Sequence, residues 1–105
     1  MKENDCIPAL KALAEETRWK IVAALLKRPQ TIAELVDGLG VSQYNISKHV
    51  RILREAGVVE TRREGKFVRC RITESYQRRY QEGGKEKLDL GCCEFEFAEE
   101  EPCAE

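Results

Sequence analysis

The chain has 105 residues, with 18 Lys plus Arg against 19 Asp plus Glu, a formal net charge of −1 and 42% hydrophobic residues. Those values suit one ordinary globular domain and exclude a helical membrane span, because the longest apolar run, Ile21 to Leu26, is six residues long, against the roughly 18 that a span needs. The opening Met1-Lys2-Glu3-Asn4-Asp5 is polar where a secretory leader becomes apolar, so a cytoplasmic location is expected. So short a chain buries only about 60–70% of its unfolded surface, which favours a second copy as partner.

Residues 5–28 read as helix, with Asn4 or Asp5 as N-cap, Pro8 in the first turn, and Ile7, Leu10, Leu13 and Ala14 at helical spacing. A break near Glu15-Glu16-Thr17 divides it, and the second piece carries Trp19, Ile21, Val22, Leu25 and Leu26 before Lys27-Arg28-Pro29 stops it. Pro29-Gln30 is a short connector. Thr31-Ile32-Ala33-Glu34 is a capping box that opens the next helix, and Gly38 and Gly40 bracket its end. A tight turn then leads to a new N-cap at Ser42. The helix that follows runs to about Glu55 with Ile46, Val50 and Leu53 inward, and Gly57 terminates it.

After Gly57 the period changes from helical to alternating. Val58 to Arg62 and Lys66 to Ile72 are predicted strands joined at Arg63-Glu64-Gly65, with Val68, Cys70 and Ile72 on one face and Phe67, Arg69 and Arg71 on the other. Residues 73–82, with Tyr76 and Tyr80 four apart, suggest a further helix capped by Thr73. Glu94-Phe95-Glu96-Phe97 alternates like a short strand, and 98–105 reads as an acidic end. The expected fold is mainly α with a β-hairpin wing, a winged helix-turn-helix. Residues 5–82 would form the DNA-binding and dimerisation domain, and 83–105 a cysteine-containing sensor segment.

Charge is unevenly distributed. Residues 1–93 carry a net +5 and 94–105 a net −6, and between Lys48 and Arg79 ten basic residues face four acids. Such a stretch suits phosphate contacts, although a charge run alone usually marks only a solvated face. A helix that buries Ile46, Val50 and Leu53 shows Tyr44, Ser47, Lys48 and Arg51 outward, with Gln43 and Asn45 near its start. Gln and Asn pair bidentately with adenine, Ser and Tyr donate to bases or phosphates, and Lys and Arg neutralise the backbone. Arg62, Arg63 and Lys66 sit at the hairpin tip, in reach of the sugar-phosphate chain or the adjacent minor groove.

The motifs Leu13-Ala14-Glu15-Glu16-Thr17-Arg18, Ile32-Ala33-Glu34-Leu35, Leu39-Gly40-Val41-Ser42-Gln43, Ser47-Lys48-His49-Val50, Leu53-Arg54-Glu55-Ala56-Gly57-Val58-Val59 and Arg63-Glu64-Gly65-Lys66 together resemble the ArsR/SmtB family of winged helix-turn-helix repressors. The resemblance covers about 10–72. It implies a homodimer on a two-fold-symmetric double-stranded DNA operator, released when an inducer, usually a metal or metalloid ion, binds. It also implies DNA contacts for Ser42, Gln43, Ser47 and His49, with Tyr44 and Asn45 at positions that vary in the family. His49, the single histidine, lies at the edge of the apolar side, where a structural hydrogen bond is as good a reading as a DNA contact.

Two sensor sites of the family are missing here. No Cys-x-Cys pair opens the helix at Thr31, and 73–82 contains no histidine. The five cysteines are Cys6, Cys70, Cys92, Cys93 and Cys103, expected as thiols in a reducing cytosol. Cys70 shares the inner strand face with Val68 and Ile72 and reads as core. Cys92, Cys93 and Cys103 are the candidate metal ligands, since soft thiolates select thiophilic ions and three sulfurs suit As(III) or Sb(III), with Cd(II) or Zn(II) as four-ligand candidates. Neighbouring residues on a strand face opposite ways, so both sulfurs of the pair meet one ion only if the backbone turns, which Gly91 permits. Cys6 or a cysteine of the second subunit is the alternative third ligand.

The alternative signal is redox, a disulfide or persulfide at Cys92, Cys93 or Cys103. An enzyme is not expected, because there is no Cys-x-x-Cys, no Cys-x5-Arg loop, no glycine-rich nucleotide loop and one histidine.

Overall fold

A computed structural model describes residues 6–79 and 86–97. Helix α1 (Cys6–Leu13) buries Cys6, Ala9, Ala12 and Leu13 on one stripe. The expected break follows it. Glu15, with extended backbone, is the N-cap of α2 (Glu16–Lys27), its carboxylate accepting from the amide of Arg18 at 2.9 Å. The backbone-amide bonds hold the Glu15 carboxyl below its ordinary range, with His49 and Arg18 adding to the effect against some desolvation. Helix α2 buries Ile21, Val22, Leu25 and Leu26. The N-caps read at Asn4 and Asp5 lie outside the described residues.

Gln30–Thr31 is not a bare connector but a two-residue strand, β1, that pairs with Arg69 and Cys70 further along. Thr31 then caps α3 (Ile32–Leu39) with the full reciprocal box: its hydroxyl accepts from Glu34 N, and the Glu34 carboxylate accepts from Thr31 N at 2.8 Å. The backbone bond to Thr31 also depresses the Glu34 pKa, assisted by Arg28. Gly40 closes the helix at φ 69, a left-handed conformation that a β-carbon would strain. That turn aims the chain into α4 (Gln43–Glu55), capped by Ser42.

Strands β2 (Val59–Glu64) and β3 (Phe67–Ile72) form an antiparallel hairpin, and β1 adds to its other side in the order β1-β3-β2. The first strand runs two residues further towards the turn than its alternation suggests, and each strand begins one residue later. Glu64 pairs with Phe67 and the turn falls on Gly65-Lys66. Cys70 and Ile72 are buried and Phe67 and Arg71 exposed, as the alternation requires.

The predicted helix over 73–82 does not form where the chain is described. The Thr73 hydroxyl donates to Gly57 O at 2.7 Å instead of capping, a single 3-10 turn spans Glu74–Tyr76, and the chain continues as β4 (Gln77–Arg79). The four-residue spacing of tyrosines loses to strand pairing: β4 joins β5 (Glu86–Asp89), which joins β6 (Glu94–Phe97), in an antiparallel sheet. This second sheet shares the core of the helical body. Leu88 and Leu90 are fully buried in one cluster with Cys6, Ala9, Ile21, Leu25, Ile46 and Leu53. Trp19 of α2 stacks on Phe97 at 4.5 Å and meets Phe95 edge-on at 5.7 Å. The architecture is a winged helix-turn-helix with an added C-terminal sheet.

Candidate DNA-binding face and thiol cluster

The orientation of α4 follows from what it buries. Ile46, Val50 and Leu53 are all at most 3% exposed, so the opposite side of the helix is forced outward. Gln43, Tyr44, Asn45, Lys48 and Arg51 are exposed there, Tyr44 at 76%, and Ser47 is half-buried. Ser42 is exposed and its Oγ accepts from Asn45 N at 3.2 Å, which leaves the hydroxyl proton to donate elsewhere.

The hairpin sorts its charges. Arg69 is tied to Glu64 at 2.9 Å and Arg71 to Glu60 at 3.0 Å, so these two cations of β3 are neutralised across the sheet. Arg62, Arg63 and Lys66 are exposed, and no ion pair among the described residues engages them or Lys48 and Arg51. Lys66 projects from the turn, its ammonium 5.6 Å from the centre of the Phe67 ring. Cations left unpaired are those that gain most from a polyanion.

His49 is placed differently from the rest of the set. Its ring is largely buried, Nδ1 lies 3.1 Å from Arg18 Nη1, and Glu15 is 3.9 Å away. The same guanidinium donates through Nε to Ala12 O at 2.6 Å. His49 thus faces the α1–α2 junction, and a structural hydrogen bond to Arg18 occupies the helix edge. Burial lowers its pKa from the ordinary value, Glu15 opposes that, and Arg18 and Lys48 reinforce it. Arg18 was legible only as part of a family motif, with no pattern in the sequence to assign it this bridging role.

The cysteines separate into three environments. Cys70 is fully buried and free, and desolvation pushes its thiol up to about 11, consistent with core packing. Cys103 lies outside the described residues. Cys92 and Cys93 occupy the turn between β5 and β6. Gly91 adopts φ 94 and donates to Asp89 Oδ1 at 2.9 Å, while Leu90 N donates to Cys93 O at 2.9 Å. The backbone therefore turns at Gly91, and the two sulfurs come to 3.7 Å of one another.

The third sulfur in this place is Cys6. It forms a disulfide with Cys92 across 86 residues of sequence, with Cα atoms 6.5 Å apart, inside the range that such bonds span. The expectation of reduced thiols does not hold for these two. Their half of the molecule brings them together because α1 and the β5–β6 turn share the core through Leu90, whose carbonyl oxygen is 3.4 Å from Cys6 Sγ. Cys93 remains a free, exposed thiol. In this disulfide-bonded form no group of three or more His, Cys, Asp or Glu side chains among the described residues is arranged to hold a metal ion. No helix among them is long and apolar enough to cross a membrane.

Comparison with known proteins bears on this face. A family profile described as "Bacterial regulatory protein, arsR family" matches residues 15–61. The biofilm growth-associated repressor of Xylella fastidiosa is 34% identical over 74 residues, 70% of this chain and 65% of that one. The arsenical resistance operon repressor of Escherichia coli is 38% identical over 68 residues, 64% of this chain and 58% of the other. A probable mercury resistance operon repressor of Streptomyces lividans is 41% identical over 62 residues, covering 59% and 50%. The chain thus spans between 50% and 65% of the length of these relatives. Among solved structures, HlyU of Vibrio cholerae superposes with a TM-score of 0.65 at 35% identity, covering 70% of this chain and 82% of that one. A homodimeric winged helix-turn-helix DNA-binding domain of Mycobacterium bovis gives 0.64 at 27% identity, covering 67% and 65%. The named relatives are transcriptional regulators, not enzymes.

Proposed function

The chain belongs to the arsR family of bacterial regulatory proteins, and from that premise we propose that it is a DNA-binding transcriptional repressor whose hold on its operator is loosened by a thiophilic ion. One observation carries the DNA reading: a helix capped by Ser42 presents Gln43, Tyr44, Asn45, Lys48 and Arg51 to solvent, followed by a hairpin that exposes Arg62 and Arg63 on β2 and Lys66 in the turn, with no ion pair to them among the described residues. Ser42, Gln43, Tyr44, Asn45 and Ser47 would read or position the duplex in the major groove, and Lys48, Arg51, Arg62, Arg63 and Lys66 would neutralise phosphates. Two copies would place their α4 helices about 34 Å apart, in successive major grooves of a two-fold-symmetric operator. Ile7 and Leu10, 52% and 36% exposed on α1, supply apolar surface for a second copy to cover. Such a regulator works in the cytoplasm.

The inducer reading rests on donor chemistry. Cys92, Cys93 and Cys103 are soft ligands suited to As(III) or Sb(III), with Cd(II) and Zn(II) as four-coordinate competitors. We assign 83–105 as the sensor segment and 5–82 as the DNA-binding and dimerisation domain. A coupling of about 1–3 kcal/mol between ion and operator would lower DNA affinity roughly 5–150-fold. Arsenite titrated into an operator complex of the reduced parent chain is expected to release it, and the reduced Cys92→Ser/Cys93→Ser double variant is expected to stay bound. Equal release of both would remove the pair from the mechanism.

The Cys6–Cys92 disulfide favours a second reading, a repressor of the same fold that answers to thiol oxidation or persulfidation. Peroxide and arsenite, compared on the same operator complex, distinguish the two.

A further inference from the structure

We propose that Cys6, Cys92 and Cys93 form a single trithiol site for trivalent arsenic or antimony, and that the Cys6–Cys92 disulfide is the closed state of that site. The inference rests on the thiophilic-inducer reading and names a different third ligand for it.

The fold already assembles the donors. Cys6 and Cys92 are within bonding distance, and Cys93 Sγ is 3.7 Å from Cys92 Sγ. Two of the sulfurs come from a turn whose backbone is set by Gly91 and Asp89. The third comes from the first turn of α1, where Cys6 is 3% exposed and held in the core by its neighbours. Opening the disulfide takes two electrons and two protons, which a dithiol supplies while leaving as its own disulfide. It yields three thiols around one point, one from a helix and two from a turn able to adjust. Arsenous acid then exchanges its three As–O bonds for three As–S bonds. The thiol protons leave with the hydroxides as three waters, and no electron is transferred. A three-sulfur, three-coordinate ion needs no further ligand, in keeping with the soft donor set. Cys70 is excluded from such a role by its burial on the inner face of the wing.

The arrangement also gives the bound ion a lever that a site confined to the C-terminal segment lacks. Cys6 begins α1, the α1 carbonyl of Ala12 accepts from Arg18, and Arg18 holds His49 on α4. A ligand that moves the start of α1 acts on the element that braces the recognition helix.

The test uses the full chain, reduced with a phosphine, because a dithiol would itself chelate arsenite. Iodoacetamide labelling with and without sodium arsenite, followed by cleavage after Glu94 to separate the pair from Cys103, maps which thiols the ion covers. Protection of Cys6, Cys92 and Cys93, with Cys103 labelled as before, is expected. By the ultraviolet sulfur-to-arsenic absorbance, Cys103→Ser should bind arsenite like the parent. Cys6→Ser should bind about 100-fold more weakly, since the third thiol acts at high effective concentration. The untreated, disulfide-bonded chain should show no such absorbance at arsenite levels that saturate the reduced one. If Cys6→Ser does not fold, the protection map of the unmutated chain decides alone. Protection of Cys103 in place of Cys6, with arsenite still releasing the operator, overturns this site and leaves the proposed function standing. No protection and no release overturns both.

Discussion

Between Thr31 and Glu55 the chain is shaped largely by bonds a few residues long: the Thr31–Glu34 box, the Gly40 turn and the Ser42 cap. Between Gln77 and Phe97 the described ties to the helical body are distant in sequence: Trp19 against Phe95 and Phe97, Leu88 and Leu90 in the common core, and Cys6 bonded to Cys92. The first kind of region carries its shape with it. The second is joined to the first by contacts far apart in sequence, which suits a segment proposed to report on a ligand. Regions dominated by local contacts also form early and cheaply, whereas long closures cost entropy before they are rewarded.

Matched core deletions break the comparison most severely. Leu53→Ala in α4 and Leu88→Ala in β5 each remove a fully buried side chain, at a cost of about 2–5 kcal/mol apiece. Because both leucines belong to one core cluster, both variants are expected to lower Tm by similar amounts in thermal unfolding. A Leu88→Ala chain that keeps the parent's Tm but loses amide protection over 86–97 would show that the sheet opens on its own.

Reducing the disulfide is the next largest perturbation. It frees a closure spanning 86 residues, and bonds of this kind typically contribute about 2–4 kcal/mol. At about 4–8 °C per kcal/mol for a small domain, the reduced chain should melt roughly 8–32 °C lower than the oxidised one. Cys6→Ser should melt at the lower temperature whether or not reductant is present. Identical melting of the oxidised and reduced parent would mean that the link restrains nothing beyond what Leu88, Leu90 and Trp19 already fix. A smaller effect is expected from Thr31→Ala, which removes one half of a capping box and exposes the start of α3: about 1 kcal/mol. That loss should appear equally in both redox states, because the box has no contact with the sulfur cluster.

What the sequence disclosed follows the same division. Thr31, Gly40, Ser42 and the Ile46-Val50-Leu53 stripe are written in residues a turn or so apart, and the structure places each as that spacing requires. The wing was legible from its alternation, with its turn displaced to Gly65-Lys66 because Arg63 and Glu64 pair with Val68 and Phe67. The pairing of Gln30 with Cys70, the bond from Cys6 to Cys92, and the bridge from Arg18 to His49 join positions 40, 86 and 31 apart. No periodicity records such distances. The tyrosine spacing at 76 and 80 pointed to a helix because the competing partner strand lies beyond the window in which helical spacing is read. Of the proposed site, the turn at Gly91 was anticipated and the sulfur opposite it was left among alternatives.

The finest test of the contact between the two regions is titration of His49. Burial lowers its folded pKa below the ordinary value of 6.5, with Glu15 opposing and Arg18 and Lys48 assisting. The unfolded chain therefore takes up the proton first as pH falls, so this histidine's contribution to stability is complete above about 6.5 and is lost on acidification through the folded pKa. Glu15, whose own folded pKa is lowered beneath 4.5, loses its contribution only at still lower pH. With a single histidine in the chain, the interval below 6.5 and above the carboxylate range belongs to this ring. The parent's Tm should decline across that interval and His49→Gln should flatten the decline, while both fall together below it. A slope unchanged by the substitution would place the titrating group elsewhere and remove the Arg18–His49 contact as a pH-dependent brace between the α1–α2 junction and the recognition helix.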